Sequence, residues 1–239
     1  MIKSKDVKII ALLYAGGSYY SYRSLEQLIP NNFHWITLEL PGRGTRMSEC
    51  LSVDFDFIIN DLFKQVTHEI HGVEYIIYGH SLGAILGYEI AKKMQNSKYH
   101  QPNLLFFTGS GSPEFDPKER ISNCNKDFFW KKIINYGGIP NELINNAEVL
   151  DFLEPIIRAD FGLRENYKFG VEKEVLNIPI FVRVGTREIE ITDMKLMGWQ
   201  KLTNVPINAS KIEGNHFFIF DQPKLIIQEL VHAYTCAKA

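Results

Sequence analysis

Cysteine is scarce in this chain: three residues, Cys50, Cys124 and Cys236, among 239. They lie far apart and form no Cys-x-x-Cys or Cys-x-x-His spacing, so the sequence offers no zinc or iron–sulfur ligand set. An odd, sparse set fits reduced thiols and a cytosolic setting. Charge of one sign is lacking too. With 26 Lys and Arg against 28 Asp and Glu, the formal net charge is −2. Nucleic acid is therefore not an expected partner, because its binding needs clustered basic side chains to displace counterions. Long apolar runs are missing as well, and no segment approaches the roughly 18 residues of a membrane-spanning helix. Residues 7–15, behind Lys3 and Lys5, superficially resemble a secretory signal. Lys8 interrupts that stretch, Asp6 stands at its mouth, and Ala15-Gly16-Gly17-Ser18 reads as a turn leaving a strand. We expect a soluble, cytoplasmic chain that does not engage membrane, and a monomer.

What the chain does have is 45% hydrophobic residues, enough for one substantial core. Short β-rich runs at 7–14, 35–40, 75–78, 104–108, 178–184 and 207–212 alternate with helical periodicity at 55–70, 82–94, 192–202 and 223–234. Alternation of this kind predicts an α/β fold with a mostly parallel central sheet flanked by helices. Between 112 and about 172 the alternation stops. There, 128–136, 141–143 and 147–158 read as helices with no strand among them, which predicts a helical lid inserted into the sheet domain.

The sharpest motif is Gly79-His80-Ser81-Leu82-Gly83, at the junction of a β-rich run and a helical stretch. A bare Gly-x-Ser-x-Gly arises by chance in roughly one chain in ten of this length, so the flanking elements carry the weight. Strand, sharp turn and helix in that order make a nucleophile elbow: the serine occupies a strained bend, and the two glycines let strand and helix approach closely. Ser81 is the expected nucleophile. A serine hydroxyl needs a base, which this chain order places late, after the last strand. His216, in Gly214-Asn215-His216-Phe217-Phe218, occupies that place. The other histidines read as structural: His34, His100 and His232 lie near element ends, and His80 projects away from the elbow. His68 and His71 are spaced by three, not by the four of a zinc helix.

An acid to orient the imidazole should follow the penultimate strand, where Glu188, Glu190 and Asp193 all stand. Glu188 is the first choice, with the other two as rivals. The oxyanion of an acyl-transfer intermediate needs two backbone N–H donors. Leu82, just after the nucleophile, would supply one. Ala15, or else Gly16, in the loop after the first strand would supply the other.

Taken together, these residues make the chain resemble the type II thioesterases of nonribosomal peptide and polyketide synthesis, which are α/β-hydrolases. Leu12-Leu13-Tyr14-Ala15-Gly16-Gly17-Ser18, Leu40-Pro41-Gly42-Arg43-Gly44-Thr45-Arg46 and Tyr78-Gly79-His80-Ser81-Leu82-Gly83 carry the resemblance in the first half. Gly137-Gly138-Ile139-Pro140-Asn141-Glu142, Pro155-Ile156-Ile157-Arg158-Ala159-Asp160 and Gly214-Asn215-His216-Phe217-Phe218 carry it in the second. Two departures stand out: Glu188 holds the place of the family's aspartate, and the proline usual before the first loop is replaced by Tyr14-Ala15. Arg43, Arg46 and Asp160 read as structural.

The resemblance implies one α/β-hydrolase domain over residues 1–239 with a helical lid at 112–172. It implies hydrolysis of acyl thioesters on the phosphopantetheine arm of an acyl or peptidyl carrier protein, as an editing step, without metal or redox cofactor. A thin arm would enter between lid and sheet, with Phe128, Phe129, Trp130, Phe152 and Phe161 as candidates to line the passage or to close the lid's own core. Two alternatives stay open. One is a carboxylesterase or lipase acting on free small esters, and the other is an inactive hydrolase-fold binding protein.

Overall fold

Five runs rich in Val, Ile, Leu and aromatic residues, and a more polar sixth, form the strands of the computed structural model: β1 (Val7–Leu12), β2 (Phe33–Leu38), β3 (Glu74–His80), β4 (Leu104–Thr108), β5 (Ile180–Gly185) and β6 (Asn208–Ile212). The structure describes residues 6–117, 119–139, 141–170 and 175–238. The expected end of the insertion at residue 172 lies outside them, as do Lys3, Lys5 and Pro140. The helices are α1 (Arg23–Glu26), α2 (Phe55–Glu69), α3 (Leu82–Gln95), α4 (Lys126–Tyr136), α5 (Asn141–Ile144), α6 (Ala147–Asn166), α7 (Asp193–Met197), α8 (Phe218–Asp221) and α9 (Pro223–Ala237).

The strand order is β2-β1-β3-β4-β5-β6, and every pairing is parallel. Parallel strands need crossovers that put helices on both faces, and this is why β1, β3, β4 and β5 read as nearly continuous apolar runs. On one face, Ile10, Leu12, Ile77, Leu105 and Val182 pack with Ile58, Leu62 and Val66 of α2 and Leu86 and Ile90 of α3. On the other, Ile9, Ala11, Ile76, Tyr78 and Phe106 pack with Leu25 of α1 and Ile226, Ile227 and Leu230 of α9. Because the chain leaves β1 toward β2 and returns to β3 on β1's other side, a crevice opens at the carboxyl ends of β1 and β3. Crevices at such switch points are where open α/β sheets bind ligands.

Helices α4, α5 and α6 follow β4 and form a layer with a small core of its own, built from Ile121, Phe129, Trp130, Ile133 and Ile157. Side-chain caps start the two longer ones: Asn125 accepts from the Phe128 amide at 2.9 Å, and Asn146 from the Val149 amide at 3.2 Å. Gly137, at φ 82°, ends α4 in the left-handed conformation. Helix α6 runs eight residues past the expected 158, through Pro155, because Leu163 and Tyr167 still find buried partners beyond it. Of the five aromatic side chains expected near the passage, Phe129 and Trp130 are spent in the layer's core. Phe128 and Phe152 are exposed. Phe161 alone of the five lines the crevice.

Candidate active site

Ser81 sits at φ 55°, ψ −115°, the single positive-φ residue other than glycine among the described residues. A side chain in that region is strained, and the bend is held from several sides. The Ser81 amide donates to the Thr108 carbonyl at 2.8 Å, tying the elbow to the end of β4. A β-carbon on Gly79 would strike the backbone of Gly83 and Ala84, and one on Gly83 would strike the carbonyls of Leu12 and Leu13. Glycine at both places lets β1, β3 and α3 converge on the serine. Helix α3 begins at Leu82, so its free N-terminal amides and the positive end of its dipole lie beside Ser81.

Glu188 and His216 come from separate loops, after β5 and β6. His216 Nδ1 lies 2.5 Å from Glu188 Oε1, and the other carboxylate oxygen accepts from the Gly185 amide at 2.6 Å. The extra methylene of glutamate is accommodated by a turn: the Glu188 amide donates to the Gly185 carbonyl, folding the side chain back over its own strand end. Both side chains are shielded, Glu188 at 5% and His216 at 16% exposure. The two rival carboxylates are elsewhere. Glu190 stands exposed at the crevice rim, and Asp193 pairs with Lys211 at 2.6 Å.

Ser81, His216, Glu188 and Ala15 all line one cavity of about 670 Å³ between the sheet edge and the helical layer. Among the described residues no hydrogen bond joins the Ser81 hydroxyl to His216. Such contacts are often long in an empty enzyme and tighten around substrate. Tyr14-Ala15-Gly16-Gly17 forms a β-turn in which the Gly17 amide donates to the Tyr14 carbonyl at 2.9 Å and Gly16 takes φ 81°. The Gly16 amide is spent on Asp160, at 2.7 Å. The amides of Ala15 and Leu82 donate to no described group. Ile133, Ile139, Leu153, Ile157 and Phe161 supply an apolar wall from the helical layer.

His80, read as structural, is completely buried, with Nδ1 at 3.0 Å from the Thr108 hydroxyl and Nε2 without a described partner. Its ring centroid is 4.9 Å from that of His216. Burial, and after it the neighbouring His216, hold the His80 imidazole well below the ordinary histidine range, so it stays neutral. The sequence reading missed Tyr14, Tyr136 and Arg164 as cavity residues. Their only sequence signal is membership of the loop after β1 or of the inserted helices. Among the described residues no cluster of metal-ligating side chains occurs, and no helix is long and apolar enough to cross a membrane.

Three comparisons with known proteins bear on this geometry. Linear gramicidin dehydrogenase LgrE of Brevibacillus parabrevis is 28% identical, over 98% of this chain and 91% of its own. The probable anguibactin biosynthesis thioesterase AngT of Vibrio anguillarum is 26% identical, over 90% of this chain and 86% of its own. The crystal structure of ClbQ from the colibactin NRPS/PKS pathway superposes with a TM-score of 0.90 at 26% identity, covering 98% of both chains. The thioesterase domain family matches residues 8–234, a span that includes the bend at Ser81, the inserted helices and the loop of His216. The fold of ClbQ and a family match running from β1 into α9 agree: this chain belongs to the thioesterase family.

Proposed function

We propose that the protein hydrolyses acyl thioesters held on the phosphopantetheine arm of carrier proteins, with Ser81 as nucleophile, His216 as base and acid, and Glu188 as the orienting carboxylate. The observation that carries this reading is the His216–Glu188 pair on the wall of the cavity that also exposes Ser81 and the unspent amide of Ala15. Ser81 Oγ attacks the thioester carbonyl as its proton passes to His216 Nε2. The amides of Ala15 and Leu82 receive the charge that develops on the carbonyl oxygen. When the carbon–sulfur bond breaks, His216 returns the proton to the departing thiolate. Water then attacks the acyl-serine, again giving its proton to His216. The carbon–Oγ bond breaks, Ser81 recovers a proton, and a free acid and a free thiol are left. Glu188 stabilises the imidazolium in both halves through Nδ1 and keeps Nε2 turned toward the serine.

ClbQ, named as part of the colibactin NRPS/PKS pathway, and AngT, named a probable anguibactin biosynthesis thioesterase, support a carrier-bound substrate and an editing role. The inserted helices would act as the lid over the arm. Mass spectrometry of carrier proteins loaded with several acyl groups, before and after exposure to the protein, tests the reading. Wild type is expected to remove acyl mass and Ser81→Ala to leave it. Equal behaviour of the two overturns the enzyme reading, and a strong preference for a free nitrophenyl ester removes the carrier.

A further inference from the structure

Asp160 stands on α6, in the inserted helical layer, and its carboxylate reaches across to the turn after β1. Oδ2 accepts from the Gly16 amide at 2.7 Å and from Arg43 Nη1 at 2.5 Å, while Oδ1 accepts from Arg43 Nη2 at 2.7 Å. Both side chains of the ion pair are almost wholly buried, at 4% and 2% exposure. Arg43 Nη1 also lies 3.4 Å from the Gly17 carbonyl, so the pair grips the turn at two successive residues. One turn earlier on the same helix, Ile157 covers Gly16, where an added β-carbon would come within 2.8 Å of its side chain. Two positions of α6 therefore hold one glycine, one by packing and one by a charge-assisted hydrogen bond.

The turn has two amides that could serve an oxyanion, those of Ala15 and Gly16. Its own closing bond uses neither, since that donor is Gly17. Asp160 takes the Gly16 amide and so holds the peptide plane that follows Ala15, while the closing bond to the Tyr14 carbonyl holds the plane before it, which carries the Ala15 amide. With the following plane held, Ala15 cannot rotate that amide away without breaking the turn. We infer that Asp160 is a positioning residue for the oxyanion hole, and that through it the seat of α6 on the sheet decides whether the Ala15 amide is aimed. The inference rests on the serine-hydrolase reading above. It makes the helical layer part of the catalytic geometry and not only a cover.

The test compares two neutral replacements of the pair, so that no variant leaves an unpaired buried charge. Arg43→Met with Asp160→Asn keeps an acceptor for the Gly16 amide; Arg43→Met with Asp160→Leu removes it. Arg43→Met with Asp160→Ala replaces the leucine variant if that one does not unfold cooperatively. On a small acyl thioester, the asparagine variant is expected to keep kcat within about threefold. The acceptor-free variant is expected to lose on the order of 10- to 100-fold in kcat with KM nearly unchanged, the signature of an interaction made in the transition state. Its affinity for an alkyl boronic acid that forms a tetrahedral adduct on Ser81 should fall in step with kcat, which a merely structural loss would not produce. Equal kcat in the asparagine and acceptor-free variants, or a loss confined to KM, overturns the inference. An inactive wild type instead overturns the functional reading on which it rests.

Discussion

At the scale of single residues, the loop after β5 presented three carboxylates, among which only the resemblance to the family's aspartate position favoured Glu188. The choice is made by backbone geometry: the Gly185–Glu188 turn brings one side chain under His216, while Glu190 faces water and Asp193 pairs with Lys211. Replacing Glu188 by Gln is therefore expected to lower kcat by roughly 10³-fold or more, as loss of an orienting acid does in other serine hydrolases. Glu190→Ala and Asp193→Ala should stay within about twofold of wild type. Equal rates for Glu188→Gln and wild type would reject the assignment. The strained bend at Ser81 was legible because such a bend demands glycines on both sides, and the place of His216 at the sheet edge because it follows the last strand. Asp160 was not, since its partners Gly16 and Arg43 are more than a hundred positions away and nothing local marks the pairing.

His80 leads to a prediction about stability. Its imidazole is neutral in the fold because burial depresses its proton affinity, whereas the unfolded chain binds that proton near the ordinary value of about 6.5. The unfolded state thus holds more protons below that pH, and linkage makes stability rise with pH through the window and fall on acidification. Denaturant unfolding between pH 7 and pH 5 should show a loss approaching about 1.4 kcal/mol per pH unit from this group. His80→Phe should flatten that slope, and an unchanged slope would show that other groups set it.

At the scale of elements, β1, β3, β4 and β5 were readable because burial on both faces of a parallel sheet leaves a plain apolar signature; the edge strand β6, largely exposed, lacks it. The ends were less readable. Helix α6 was expected to stop at 158, yet packing of Leu163 holds the helix for two more turns. Asp160 lies on that extension, so the misplaced end and the missed contact have one cause. Close approach of elements also carries a prediction. A β-carbon on Gly185, at the end of β5, would meet the carbonyls of Asn215 and Gly214 in the loop that bears His216. Gly185→Ala should therefore push that loop from β5, lowering kcat by about tenfold or more and stability by about 1–3 kcal/mol. Retained kcat with unchanged thermal unfolding would refute the tight fit.

At the scale of the whole molecule, the insertion was visible as a gap in the alternation, but its division of labour was not. Five aromatic residues looked equivalent in sequence, and only the three-dimensional layering separates Phe129 and Trp130, which close its core, from Phe161, which faces the cavity. Composition reports how much apolar area a segment has, not which side of it a neighbouring sheet will cover.

The uniform direction of the six strands has a further consequence. It delivers each group of the proposed machinery at a different strand's carboxyl end, so no short contiguous fragment holds them all: Ala15 follows β1, Ser81 follows β3, Glu188 follows β5 and His216 follows β6. A nascent chain still on the ribosome can display its serine on the elbow long before an imidazole exists to activate it. On the proposed roles, hydrolytic power then arrives in a single step, with the loop after β6, and turnover reports that β1, β3, β5 and β6 are all in register.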